Sequence, residues 1–112
     1  MVILDTVFDL FSKERRRYVL YYLDQQGGSV SVEEVIEQVA DWETENSHKD
    51  IPDEKFDRIE LSLRHTHLPK TAEVDFIEYL PDEGTINVHG SPTEFDAIVT
   101  IAKTIEQPDK SN

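Results

Sequence analysis

Six consecutive apolar residues, from Tyr18 to Leu23, restrict the fold of this chain more than any other feature. They lie in a segment from Arg15 to Gln26 that is predicted to form a helix, capped by Ser12 and ended by Gly27-Gly28. A helix with apolar side chains nearly all round must contact neighbours on more than one side. Since 112 residues support one modest core, we expect this helix to lie at the centre of a single domain.

One helix is predicted before the central helix and one after it. The later of them starts at Ser31-Val32-Glu33-Glu34, which has the form of a capping box, with Val30 and Val35 placed for the hydrophobic staple. It ends near Trp42, and residues 43–52 are polar and turn-rich, which predicts a loop. Apolar residues at helical spacing are Leu4, Val7, Phe8 and Phe11 in the first helix and Val32, Val35, Ile36 and Val39 in the later one.

The next segment predicts a helix followed by a hairpin. The helix begins near Asp53 and is expected to end before Pro69, because the residue before a proline avoids helical geometry. Residues 76–80 and 85–89 have strand composition, and the turn-forming sequence Pro81-Asp82-Glu83-Gly84 joins them. The apolar face of the helix consists of Phe56, Ile59 and Leu63.

A last helix is predicted over residues 92–106. The sequence Ser91-Pro92-Thr93-Glu94 combines a cap, a proline at the first helical position and the glutamate of a capping box. This helix has more apolar residues than a monomer needs at its edge, so we predict that it pairs two subunits; the alternative is that it covers the monomer's own core. The predicted dimer residues are Phe95, Ile98, Ile101 and Ile105, with Leu4, Val7 and Phe8 as further candidates. The polar tail at residues 107–112 is expected to be disordered.

Three helices and a hairpin, in this order, are typical of a winged helix-turn-helix. We therefore predict an α+β fold that is mainly helical. It is a winged helix-turn-helix over residues 1–106, with extra N- and C-terminal helices and a β-hairpin wing. The segment from Phe8 to Val88 also resembles a family of small haloarchaeal winged-helix proteins of largely unassigned function. The resemblance implies the winged-helix fold and suggests transcriptional regulation. It rests on Arg15-Arg16-Arg17-Tyr18-Val19-Leu20, Ala40-Asp41-Trp42-Glu43, Thr66-His67-Leu68-Pro69-Lys70, Glu78-Tyr79 and Gly84-Thr85.

The charge of the chain is strongly negative. It has 24 Asp and Glu against 11 Lys and Arg, which gives a net charge of -13. Such an excess fits either a protein that avoids polyanions or binds cations in ordinary salt, or one whose carboxylates stay hydrated in a cytoplasm of molar salt. The acidic residues are spread over every segment, which favours the second explanation and is typical of halophilic archaeal proteins.

Several classes of chemistry have no signal in the sequence. Without cysteine there is no disulfide or thiol chemistry, and no stretch approaches the ~18 apolar residues of a membrane span. The N-terminus lacks the apolar run of a signal peptide, so a cytoplasmic location is expected. His65 and His67 lie about 200° apart on a helix and cannot both bind one metal. We expect no membrane contact, no catalytic residue, no metal and no cofactor.

The winged-helix interpretation places DNA contacts on the third core helix, residues 53–67, with the hairpin at residues 75–89 as the wing. If the apolar face of the helix points to the core, its outer side includes Leu61 and several basic residues. The basic cluster at the start of the central helix could anchor a phosphate at a helix N-terminus. The predicted DNA contacts are Lys55, Arg58, Arg64, His65 and Lys70 on or beside the third helix, and Arg15 and Arg16 on the central helix.

The four arginines among these residues also have a structural explanation. Arg58 and Arg64 each follow a glutamate at i,i+4 spacing and can pair within their own helix. Arg15 and Arg16 can pair with nearby carboxylates, and the wing turn is acidic where a DNA-binding wing is normally basic. Leu61 suits a thymine methyl group or a protein surface equally well. The leading hypothesis is a dimeric DNA-binding transcriptional regulator, and the alternative is a protein-protein interaction module without DNA binding.

Overall fold

The computed structural model describes residues 4–108 as an α+β fold. Residues 1–3 of the predicted domain and residues 109–112 of the predicted tail lie outside the described part. The first half of the fold consists of α1 (Leu4–Phe11), α2 (Glu14–Gln26), β1 (Ser29–Ser31) and α3 (Val32–Thr44). A 3-10 turn at His48–Asp50 leads to α4 (Asp53–Ser62), a π-helical turn (Leu63–His67) and α5 (Leu68–Thr71). The chain continues through β2 (Ile77–Leu80), β3 (Thr85–Val88) and α6 (Thr93–Glu106).

Helix α2 is the centre of the core, as its apolar run predicts. It packs against α3 and α6, with α1 at its N-terminal end. The predicted cap is wrong: Lys13 is the N-cap residue, and the Ser12 hydroxyl donates to the carbonyl oxygen of Asp9. The two helices are so close in sequence that Ser12 still belongs to the end of α1. Five residues of the apolar run in α2 are buried: Tyr18, Val19, Leu20, Tyr21 and Leu23.

The predicted start of α3 is confirmed. Ser31 is the N-cap residue, and its hydroxyl accepts a hydrogen bond from the backbone N–H of Glu34 at 3.5 Å. Val30 and Val35 are both buried, as a hydrophobic staple requires. The same segment also forms β1, which the sequence analysis did not predict because three residues are too short for a strand pattern.

The sheet is three-stranded and antiparallel in the order β1-β3-β2. Ile86 on the central strand pairs with Val30 on one side and with Tyr79 on the other, and its side chain is fully buried. The predicted turn between β2 and β3 is confirmed: the N–H of Gly84 donates to the carbonyl of Pro81 at 3.2 Å. A φ of 70° at Gly84 explains the glycine there.

The prediction that the fourth helix ends before Pro69 is wrong. The helix continues to Thr71 because it widens at Leu63–His67, where the N–H of Leu68 donates to the carbonyl of Leu63. A proline inside an ordinary α-helix removes one hydrogen bond and clashes with the preceding turn. A π-turn changes this spacing, and Pro69 then lies in the first turn of the α-helix that follows.

Helix α6 forms where it was predicted but begins differently. Pro92 is the N-cap residue, and the Ser91 hydroxyl donates to the Asp96 carboxylate at 2.7 Å, so the predicted capping box does not form. Phe95 packs against Phe76, with 4.8 Å between ring centroids, and against Phe11 at 5.9 Å. These contacts attach the start of α6 to the sheet and to α1.

Candidate nucleic-acid interface

The outer face of α4 is exposed and carries charges of both signs. Lys55, Arg58, Leu61 and His65 are exposed on it, whereas Arg64 is half-buried. Their spacing follows the turn of the helix, at about 100° per residue, away from the buried Ile59 and Leu63. The structure therefore brings four of the predicted DNA-contact residues, with Leu61, to one continuous surface.

Arg58 on α4 and Arg64 in the π-helical turn form the i,i+4 pairs that their spacing allows. Arg58 lies 3.0 Å from Glu54, with both side chains largely exposed at 68% and 84%. Arg64 lies 3.0 Å from Glu60, with about a third of each side chain exposed. Exposed pairs of this type contribute only about 0.3–0.5 kcal/mol. A phosphate or a guanine could therefore displace either glutamate at little cost.

Arg15 and Arg16 differ sharply although they are adjacent. Arg15 forms a 2.8 Å ion pair with Glu43 and remains partly exposed. Arg16 is 4% exposed. Its guanidinium donates to the carbonyl of Asp9 at 2.9 Å and to the Ser12 hydroxyl at 3.2 Å. The prediction of Arg16 as a phosphate contact is wrong, because its guanidinium is buried and both terminal nitrogens contact groups inside the protein; its Nε is buried without a hydrogen-bond partner among the described residues.

Arg16 also connects the central helix to the π-turn. Its Nη1 lies 3.3 Å from Nδ1 of His67, and because a guanidinium only donates, Nδ1 must be the acceptor. Burial lowers the pKa of His67, and the positive charges of Arg16 and Arg15 lower it further. His67 is thus held in its neutral form, as a structural acceptor.

Lys70 lies beside the same cluster instead of extending the outer face of α4. Its Nζ is 3.4 Å from the Asp9 carboxylate, which also lies 3.6 Å from Arg16. Lys70 is therefore a link between α5 and α1, about 18 Å along the helix from Arg58. The grouping of Lys70, Asp9 and Arg16 could not be predicted from the sequence, because α1, α2 and the π-turn meet only in the folded chain.

The surfaces beside α4 are acidic. Asp82 and Glu83 are exposed in the turn between β2 and β3. A cleft of about 220 Å³ between α3 and α4 has Ile36 and Phe56 in its lining, with three glutamates around them, Glu33, Glu37 and Glu60. Because phosphates are repelled by such surroundings, a bound duplex would have to contact α4 alone.

The predicted dimer residues on α6 separate into two groups. Phe95 is buried in the monomer's own core and cannot contact a partner, and Val7 on α1 is buried too, so both predictions are wrong. Ile98 is half-buried. Ile101 and Ile105 are 60% and 79% exposed, and Leu4 and Phe8 on α1 are 58% and 60% exposed.

The C-terminal end of α6 is attached to α2 by a polar contact that the sequence analysis did not identify. Arg17 donates to both carboxylate oxygens of Glu106, at 2.9 and 3.0 Å, and the Tyr21 hydroxyl donates to the same carboxylate at 2.8 Å. The hydrogen bond from Arg17 lowers the pKa of Glu106, and the one from Tyr21 adds to the effect against the opposing influence of burial. Glu106 therefore stays ionised, and the positive charge of Arg17 balances its negative charge.

Residues 4–108 contain no cluster of three or more His, Asp or Glu side chains arranged to hold a metal ion. Over the same range no helix is long and apolar enough to cross a membrane. Nδ1 of His48 lies 3.1 Å from the Asp41 carboxylate, and Nε2 lies 3.7 Å from that of Glu37, so both ring nitrogens face side chains of α3.

The fold and its surface define a small, strongly acidic α+β domain whose basic side chains are mostly paired internally. The chain belongs to the family described as Domain of unknown function (DUF7344), whose model matches residues 8–87. The match covers the segment on which the family resemblance rests. Comparison with curated proteins and with solved structures gives no significant match.

Proposed function

We propose that this protein is a winged-helix transcriptional regulator that reads DNA with α4. One observation carries the proposal: the elements α2, β1, α3, α4, β2 and β3 follow one another with a β1-β3-β2 sheet, which is the arrangement expected of a winged helix. In that fold α3 and α4 form the helix-turn-helix, and the β2–β3 hairpin is the wing. The exposed outer face of α4 then faces the major groove.

The charge distribution supports α4 as the contact surface. Between Glu54 and Lys70 there are four basic and three acidic side chains, whereas the whole chain has a net charge of -13. The acidity fits a protein that works in concentrated salt, where the Debye length is ~3 Å at 1 M and distant carboxylates hardly repel DNA. The same salt removes most of the counterion-release affinity, so specific base contacts must supply the binding energy.

Selection of duplexes from a random pool, in molar potassium chloride, tests the proposal. We expect enrichment of a short motif and at least a tenfold loss of affinity in Arg58→Ala/Arg64→Ala, since a bidentate base contact contributes ~1–3 kcal/mol. The matched control Lys13→Ala/Lys103→Ala removes the same charge elsewhere and should bind normally. If no motif is enriched, or if both double variants lose affinity equally, recognition by α4 is refuted.

A second function is favoured by a specific feature of the same face. Leu61 is 56% exposed near the C-terminal end of α4, next in sequence to Glu60, which lines the acidic cleft between α3 and α4. An apolar anchor next to three glutamates would suit a partner helix with one basic side chain and an apolar face. Leu61→Asp should then abolish capture of a protein partner while Arg58→Ala/Arg64→Ala does not. Retention of every partner by Leu61→Asp would exclude this function.

A further inference from the structure

The outward face of α6 is almost without charge. From Ala97 to the end of the helix, none of the exposed side chains is ionisable: they are Ala97, Thr100, Ile101, Thr104 and Ile105. By contrast, the exposed residues of α4 are Asp53, Glu54, Lys55, Asp57, Arg58 and Leu61, five of them charged. In a chain with 31% charged residues, an uncharged exposed helix face is the exception.

Helix α1 lies beside the start of α6 and also carries exposed apolar residues. Phe11 at its C-terminal end contacts the buried Phe95 on α6, and the exposed Phe8 and Leu4 precede Phe11 at helical spacing. The exposed charged residues of the two helices are Asp5 and Glu94, each in the first turn of its helix. The other acidic group near the end of α6, Glu106, is neutralised by Arg17.

We infer that this face of α1 and α6 is the contact surface for a second copy of the same chain. Two copies with a charge of -13 repel each other wherever their carboxylates meet. A two-fold axis brings the same patch of both copies together, so an uncharged patch meets an uncharged patch. The exposed isoleucines, with Leu4 and Phe8, supply the apolar area of the contact.

The available area sets the strength of the contact. The 14 residues of α6 are about 21 Å long and the eight residues of α1 about 12 Å. Such helices present on the order of 500 Å² per copy, below the ~800 Å² per partner of a standard stable interface. We therefore expect a reversible dimer whose population depends on the protein concentration. Salt tightens it, because screening removes the repulsion between the two acidic copies while the apolar contact remains.

The inference does not depend on DNA binding. Helix α6 packs on α2, whereas α4 packs on α3, so the dimer surface and the outer face of α4 are formed by different helices. A variant that breaks the dimer leaves the α4 surface unchanged. The two proposals can therefore fail separately.

Sedimentation equilibrium of the full chain, from micromolar to millimolar concentration, tests the inference. We expect twice the 13.0 kDa chain mass to appear in a concentration-dependent way, with a lower dissociation constant at about 2 M than at about 0.2 M potassium chloride. Ile101→Glu should raise the dissociation constant at least tenfold. The matched control Leu61→Glu introduces the same charge at a leucine of similar exposure and should leave it unchanged.

Circular dichroism checks that both variants keep the native fold, which is expected because both side chains are exposed. If Ile101→Glu is unfolded, Ile105→Glu at the 79% exposed neighbour replaces it. The inference is overturned if the wild type stays monomeric throughout. It is also overturned if a folded Ile101→Glu or Ile105→Glu associates like the wild type, or if Leu61→Glu weakens the dimer as much as Ile101→Glu does.

Discussion

Replacing Arg16 by alanine should destabilise the domain far more than replacing the adjacent Arg15. The Arg16 side chain is buried, and the two methylenes that alanine lacks contribute roughly 2 kcal/mol at ~0.8 kcal/mol per buried CH₂. Removing its donors leaves the Asp9 carbonyl and Nδ1 of His67 without their partner, which costs about 1 kcal/mol more. We therefore expect a loss of about 3 kcal/mol in the free energy of unfolding.

Arg15→Ala is the matched comparison, because it removes the same side chain one residue earlier. Its ion pair with Glu43 is partly exposed, so the loss should stay below about 1 kcal/mol. Urea unfolding at fixed high salt measures both changes, and Arg16→Met separates the lost hydrogen bonds from the lost volume. Equal losses for Arg15→Ala and Arg16→Ala would refute the structural role of Arg16.

Two further predictions concern pH and helix capping. The pKa of His67 is lowered in the folded protein, so below about pH 6.5 the unfolded chain takes up a proton that the folded chain refuses. The free energy of unfolding should therefore fall as the pH drops from 6.5 towards the pKa of His67 in the folded protein. The variant His67→Asn keeps a hydrogen-bond acceptor that does not titrate. Urea unfolding of this variant should lack this part of the decline. An unchanged pH profile in His67→Asn would contradict the assignment. Ser31→Ala should cost about 1 kcal/mol through loss of the cap, whereas Ser29→Ala, at the exposed first residue of β1, should change little. Equal unfolding midpoints for the two serine variants would show that the Ser31 cap contributes nothing.

Features encoded by neighbouring residues could be predicted from the sequence. The cap at Ser31, the turn ending at Gly84 and the apolar run of α2 all depend on residues within a few positions of one another. The strand β1 could not be predicted in this way, because its partner, β3, begins more than 50 residues later. Pairing across such a distance leaves no local pattern.

The candidate site was predicted only in part, for the same reason. The i,i+4 spacing of Glu54 and Arg58 predicted their pair, since both residues lie on one helix. The burial of Arg16 was missed because its acceptors come from α1 and from the π-turn. The continuation of the helix past Pro69 was missed because the widened turn that permits it is not visible in the residue pattern.

The cluster around Arg16 gives the two proposed surfaces a physical connection. Asp9 lies on α1, the helix that carries Leu4 and Phe8 of the dimer face, and it pairs with Lys70 just beyond the π-turn of the α4 helix. Arg16 joins the same two elements through the Asp9 carbonyl and His67. These contacts attach α1 to the C-terminal end of the α4 helix. In a dimer formed through α1 and α6, this connection would hold the two α4 helices at a fixed separation, as recognition of paired DNA half-sites requires.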